Sequence, residues 1–303
     1  MLKKIVEEED MDLMRKGMTD AYGIMELQNK ILEVMSWIDN TCSNHNIDYC
    51  LMGGSAIGAK RHGGFIPWDD DLDIFMTSEN YSKFRKLFKN NKREGYYLQE
   101  WGKRNEMVTM AKVRMDGTTY IEEILEPLDM HHGIYVDIMI LHNCPNNKVA
   151  QFLQYLAGRY IVAKGLADRG YNRRKDLIAI LLKMLQLLPK GFAIRQALQN
   201  VYRYDNKDTK YYCNFLGKSN FEKSIYEKEW IDKPLYAPFE TIELKIPAQT
   251  EKYLRKRFGD YMILPTAERI AWEQHAKDYS IDIDFRIKLS RKDDGFYDES
   301  KLI

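Results

Sequence analysis

An α+β fold, with a mixed β-sheet flanked by helices, is what this sequence of 303 residues predicts, and three patterns predict it. Apolar residues recur at helical spacing at Ile24, Leu27, Ile31, Val34, Met35 and Ile38. Short apolar runs at 49–52, 108–115 and 133–141 read as strands. Amphipathic stretches of helical length fill much of 146–205 and 250–278.

Taken in order, the stripe over 24–45 predicts a helix packed beside the first core strand, 49–52. That strand runs into Gly53-Gly54-Ser55, where missing side chains let backbone amides approach a phosphate and Ser55 can open a helix. After an acidic cluster, Thr77 or Ser78 can cap a helix that runs to about Asn90. The run 108–115 alternates into an Asp116-Gly117 turn, which predicts a hairpin. Residues 148–167 and 175–188 then read as helices, followed by an amphipathic piece ending near Tyr204, so 146–235 is expected to be a mostly helical insertion. A helix over 250–258 with Gly259 at its C′ position and a second over 266–278 follow. Ile281, Ile283, Phe285, Ile287 and Leu289 alternate with charged residues, a half-buried strand pattern, and the last dozen residues read as frayed. The chain divides into a core with its N-terminal helix (1–145), the insertion (146–235) and a C-terminal region packing on the core (236–303).

The chemistry concentrates at Pro67-Trp68-Asp69-Asp70-Asp71-Leu72-Asp73-Ile74. At the strand period of two, Asp69, Asp71 and Asp73 share one face while Leu72 and Ile74 turn to an apolar interior. Carboxylates so close repel one another unless a hard cation such as Mg2+ or Mn2+ compensates them. The plain alternative is an acidic, solvated loop. Asp137 interrupts the apolar run 133–141, and a buried carboxylate needs a cation, a hydrogen-bond network or a metal. A cap or an ordinary Arg partner would serve equally. Two carboxylates from one strand and one from another can hold one or two Mg2+ ions that bridge phosphate oxygens. Lys112 and Arg114, two apart on a strand, face one way and either clamp a diphosphate or form a basic edge that resists aggregation.

Gly53-Gly54-Ser55 followed by the run from Ala59 through Arg61, Gly63-Gly64 and Trp68 to Asp73 resembles the LicD family of phosphocholine transferases, within the DNA polymerase β-like nucleotidyltransferase superfamily. The resemblance continues at Lys112-Val113-Arg114, Val136-Asp137-Ile138, Pro238-Phe239-Glu240, Phe258-Gly259-Asp260-Tyr261-Met262 and Leu264-Pro265, spanning most of 24–280. Fukutin-related ribitol-phosphate transferases share that core. The resemblance implies a nucleotidyltransferase-like mixed sheet. It also implies Asp71, Asp73 and Asp137 as catalytic metal ligands, Asp69 as an auxiliary acid, and Gly53, Gly54, Ser55, Arg61, Lys112 and Arg114 around nucleotide and phosphate.

A CDP-activated alcohol, CDP-choline first among them, is the implied donor, and a sugar hydroxyl of a cell-surface glycan or teichoic acid precursor, lipid-linked or not, the acceptor. CMP would leave, with Asp137 helping to deprotonate the hydroxyl. A quaternary ammonium favours an aromatic cage, for which Trp68, Tyr97, Trp101 and Trp272 are candidates beside an ordinary core role. Rival readings are a nucleotidyltransferase releasing pyrophosphate, a metal-dependent glycosyltransferase built on Asp71-Leu72-Asp73, and a noncatalytic subunit of an envelope-assembly complex. Upstream Gly-Gly-Ser, distant Asp137 and an intact acid set argue against the last two.

Composition bounds the rest. A net charge of +1 gives no argument for nucleic-acid binding. Cys42, Cys50, Cys144 and Cys213 form no Cys-x-x-Cys pair and suit a reducing compartment, and His131, His132, His142 and Cys144 match no common zinc spacing. The first residues lack a signal-peptide pattern, so a cytoplasmic location is expected. The apolar run 177–188 falls short of the about twenty residues that span a bilayer. Basic residues over 173–195 make a peripheral contact with an anionic membrane face an expectation, beside ordinary packing on the core.

Overall fold

In the computed structural model of the chain, residues 20–90, 95–100, 110–123, 125–168, 180, 183–185, 187, 191–266, 270 and 274–294 are described. Helix α1 (Met25–Asn44) starts under the Asp20 carboxylate, which accepts the Ile24 and Met25 amides at 3.0 and 3.2 Å. It buries Leu27, Ile31, Val34, Met35 and Ile38 completely against the sheet, as its stripe predicts. Strand β1 (Cys50–Leu51), helix α2 (Gly53–Arg61), strand β2 (Asp73–Thr77) and helix α3 (Ser78–Asn90) follow. Thr77 Oγ1 accepts the Asn80 amide at 3.2 Å and so starts α3. Strands β3 (Tyr96–Gln99), β4 (Ala111–Met115), β5 (Thr119–Glu122) and β6 (Tyr135–Cys144) come next, then helices α4 (Lys148–Asp168) and α5 (Phe192–Tyr202).

Strands β7 (Tyr211–Cys213) and β8 (Ile225–Glu227) lead to a one-turn helix α6 (Lys228–Ile231), the hairpin β9 (Leu235–Phe239) with β10 (Ile242–Ile246), and helix α7 (Thr250–Phe258). Strand β11 (Ala276–Ser280) and helix α8 (Phe285–Asp294) close the described chain. The main sheet runs β1-β2-β6-β4-β3, with β7 and β8 added beyond β6. The β2–β6 pair is parallel and its neighbours antiparallel, so this is the mixed sheet of an α+β fold.

Four expectations change. Residues 146–235 are not simply a helical insertion, because β7 and β8 belong to the sheet: β6 continues past β2 and β4, and β7 pairs with its exposed end at His142, Asn143 and Cys144. No hairpin forms across Asp116-Gly117, because both edges of β4 are already taken by β3 and β6; β5 pairs instead with β11. The predicted helix over 266–278 is helical at Ile270 but gives way to a strand at Ala276. Residues 281–289 are a turn and then a helix. The Ser280 hydroxyl accepts the Ile283 amide at 3.2 Å and Asp284 accepts the Arg286 amide at 2.9 Å, a polar turn that overrides the alternation. Phe285 and Leu289 are also four apart, so the same apolar residues suit a helix. Within 175–188, the described residues 180, 183–185 and 187 are helical.

Candidate active site

Register assembles the site. Asp73 of β2 lies opposite Asp137 of β6, and Asp137 lies opposite Lys112 of β4. Three neighbouring strands therefore carry acid, acid and cation on one face of the sheet. Lys112 Nζ sits 2.9 Å from Asp137 Oδ1, donates to Oδ2 at 3.1 Å, and rests 3.5 Å from the centre of the Tyr135 ring. Asp137 Oδ1, though buried and close to that ammonium, makes no hydrogen bond. Glu122 of β5 stands 4.0 Å from the same ammonium.

Asp71 and Asp73 carry the electrostatic strain. Burial, with Asp137 and Asp70 adding to it and His275 and Lys112 opposing it, pushes Asp71 up to about 6. Asp73 is held well above the carboxylate range, by burial first and then by Asp71 and Asp137, against the pull of Lys112 and Lys218. Each of the two acids thus carries the cost of like charge from neighbouring carboxylates, Asp137 among them.

Helix α2 begins beside them. Gly53 has φ +57° and donates its N–H to Tyr253 Oη of α7 at 2.9 Å. A Cβ on Gly53 would stand 3.5 Å from Asp73 Oδ2, and one on Gly54 would meet Asp69 Oδ2 at 2.6 Å. The glycines make room for carboxylates at a helix start, where partial positive charge favours them. Ser55 Oγ accepts the Asp73 amide at 2.9 Å, and the Met52 amide bonds the Asp73 carbonyl at 3.0 Å, so the turn and the acid-bearing strand are locked together. Asp69, also buried, accepts through its backbone carbonyl from Gln28 at 2.9 Å.

Three predicted site residues do other work. Arg114 is fully buried: it donates to Gln99 Oε1 at 2.8 Å and to the Gly133 carbonyl at 2.9 Å, and it stacks 4.7 Å from the Tyr135 ring. It braces β3, β4 and β6 and forms no clamp with Lys112, whose ammonium is taken by Asp137. Arg61 donates to the Tyr261 carbonyl at 2.9 Å and to His62 Nε2 at 2.8 Å, which fastens α2 to the segment after α7. Trp68 is 2% exposed, with its edge against Tyr22 and His62, so it is core and not the wall of an open cage. Tyr97 stacks on His131 at 5.1 Å. Trp101 and Trp272 lie outside the described residues.

Other residues gather here without a sequence signal. Asp70, of the opposite parity to the acids on either side, accepts the His275 and Ala276 amides at 2.7 and 2.8 Å, while His275 Nδ1 lies 3.2 Å from Asp70 and 3.7 Å from Asp71. The Asp70 bond raises the His275 pKa against the opposing effect of burial. Lys218 acts on Asp73 and His275 from a loop pinned twice: Arg159 grips the Phe215 and Gly217 carbonyls at 2.8 and 2.7 Å, and Arg257 the Ser219 hydroxyl at 2.5 Å. None of these contacts is written in a local motif; only the consecutive acids Asp69-Asp70-Asp71 hinted that one carboxylate had a separate task. A cavity of about 930 Å³ lined by Tyr81, Arg85, Glu100, Ile161 and Tyr202 lies on the opposite sheet face, toward which Ala111 and Ile140 point.

Residues 46–122 match the family model described as LicD/FKTN/FKRP, nucleotidyltransferase domain. That span holds α2, Asp69, Asp71, Asp73 and Lys112, and Asp137 follows it. Residues 46–122 are thus similar to a LicD-type nucleotidyltransferase domain, and they lie within an α+β fold. The lipopolysaccharide cholinephosphotransferase LicD of Haemophilus influenzae is 27% identical over 256 residues, covering 81% of this chain and 93% of that protein. The ribitol 5-phosphate transferase FKRP of Homo sapiens is 44% identical over 41 residues, 14% of this chain and 8% of that protein. An uncharacterized protein of Rickettsia typhi is 33% identical over 69 residues, 23% of this chain and 22% of its own length.

Proposed function

We propose that the chain is a LicD-type phosphotransferase that moves phosphocholine, or a related phosphorylated alcohol, from a CDP-activated donor to a sugar hydroxyl of a glycan precursor and releases CMP. The observation that carries this reading is the row Asp73, Asp137 and Lys112 across adjacent strands, with the start of α2 against Asp73 and Asp71 close enough to act on its charge. Similarity over 93% of a cholinephosphotransferase supports the head group.

A divalent cation suits the residues present. Asp71, Asp73 and Asp137 offer hard oxygen ligands, and their mutual repulsion in a desolvated site is the imbalance that Mg2+ or Mn2+ would relieve. Among the described residues no group of three or more His, Cys, Asp or Glu side chains is placed to hold a metal ion as it stands. Mg2+ commonly takes one or two carboxylates and completes its shell with water and substrate phosphates, so a preformed cage is not required. When bound, the ion would supply positive charge at the donor's diphosphate.

The chain's own groups do the rest. In the first turn of α2 the Gly53 amide goes to Tyr253 Oη and the Ala56 amide to the Met52 carbonyl, and the positive end of the helix favours phosphate oxygens. Lys218 brings a further cation toward Asp73. Lys112 fixes the Asp137 carboxylate through its ion pair, and that carboxylate is the group that takes the proton of the incoming hydroxyl. The sugar oxygen attacks the phosphorus that bears the alcohol, the phosphoanhydride bond to CMP breaks, and the hydroxyl proton passes to Asp137.

The test is a panel of CDP-choline, CDP-ethanolamine, CDP-ribitol and CDP-glycerol incubated with protein, Mg2+ and a glycan acceptor. CMP release from one donor, abolished in Asp71→Ala, is expected. Release of the free phosphorylated alcohol, with CMP left on the acceptor, would indicate nucleotidyl transfer instead, and unchanged turnover in Asp71→Ala would remove the acid set from the chemistry.

A further inference from the structure

The helical layer presents a surface that the acid site does not use. Helix α4 buries polar side chains and exposes apolar ones over its first half. Its Gln151, Gln154 and Lys164 are buried, with their polar ends on protein partners: Gln151 donates to the Pro145 carbonyl at 2.8 Å, Gln154 to the Asn143 and Val201 carbonyls at 3.0 and 2.8 Å, and Lys164 to the Leu185 carbonyl at 2.9 Å. Ile161 and Ala167 are buried near its end, but four apolar side chains of its first half point the other way. Val149, Phe152, Leu153 and Leu156, spaced as one face of a helix, are 47–69% exposed. Ile180, Met184 and Leu187 repeat that spacing on the segment tied to Lys164 and are 58–85% exposed.

Charge selects the occupant. Residues 146–205 hold eleven Lys and Arg against three Asp and no Glu, a net +8 in a chain whose total is +1. Lys148 next to Val149, Lys183 next to Met184 and Arg195 one turn beyond Phe192 are exposed among the apolar residues. A second copy docked face to face would set like charge against like charge. An anionic lipid surface meets both features, with acyl chains for the stripes and phosphates for the cations. We propose that this helical layer docks on one leaflet of an anionic membrane. Among the described residues no helix is long and apolar enough to cross a membrane.

The experiment is flotation of the full-length chain with vesicles of phosphatidylcholine alone or phosphatidylcholine containing phosphatidylglycerol. Binding to the anionic vesicles only, weakening as salt rises, is expected. The paired changes Leu153→Glu with Leu156→Glu, and Met184→Glu with Leu187→Glu, should each weaken it about tenfold or more, with thermal melting unchanged. Equal partition onto both vesicle types, binding to neither, or unaltered binding of both pairs overturns the proposal. So does sedimentation showing a dimer through this face in protein that ignores lipid.

Discussion

Helices α1 and α4 are nearly the same length, and both carry apolar residues at helical spacing, yet they use them in opposite senses. Leu27, Ile31, Val34, Met35 and Ile38 are buried against β4 and β6, whereas Val149, Phe152, Leu153 and Leu156 face outward. The sheet supplies the difference. α1 meets an apolar surface made by Val113, Val136 and Ile138, while α4 meets carbonyl groups at Asn143, Pro145 and Val201 that only donors such as Gln can satisfy. Periodicity finds the stripe of a helix; what lies opposite decides whether that stripe is interior or contact surface.

The contrast is one between a register-locked core and an outward-facing layer, and substitutions should separate them. Asp73→Asn, in the core's acid row, should lower turnover of the proposed CDP donor at least about a hundredfold while the fold holds, measured by CMP release beside circular dichroism. Lys112→Met should come next. It leaves Asp137 buried without its cation and is expected to destabilise by about 3–5 kcal/mol in urea titration, with activity falling as well. Ile31→Ala, which opens a cavity under α1, should cost about 2–5 kcal/mol by the same titration.

Acid separates the regions in another way. Burial, reinforced by Arg61, pushes His62 down to about 4 from its ordinary value of 6.5. The folded protein then prefers the neutral ring, so this stabilisation is present above pH 6.5 and is lost as pH falls toward 4. Melting temperatures over that window should drop, and His62→Gln should flatten the drop. At the small end, Leu153→Ala on α4 should shift stability by no more than about 0.5 kcal/mol. A loss approaching that of Ile31→Ala would show Leu153 to be part of the interior and would erase the contrast.

Much of the core could be read from residue order. The stripe of α1, the cap of α3 and Gly259, which closes α7 with φ +78° and an N–H bonded to the Arg255 carbonyl, are local signals, and local signals survive folding. The acids near residue 70 and at 137 were likewise visible, because charge inside an apolar run demands a partner. Which partner each one takes depends on pairing between distant strands. Lys112 could not be assigned to Asp137, nor Arg114 to Gln99, before the order β6-β4-β3 was known. Neither His275 nor Lys218 has a motif, since each reaches the site through contacts with residues far away in sequence. The strand expected over 281–289 failed where two periods fit the same residues and a Ser-Asp turn chose between them.

Asp70 ties positions 205 and 206 residues apart, gripping the His275 and Ala276 amides beside the acids. On a ribosome, the acid-bearing segment is therefore made about two hundred residues before the one that clasps it. The nascent chain carries these carboxylates without that clasp until residues 275 and 276 have emerged.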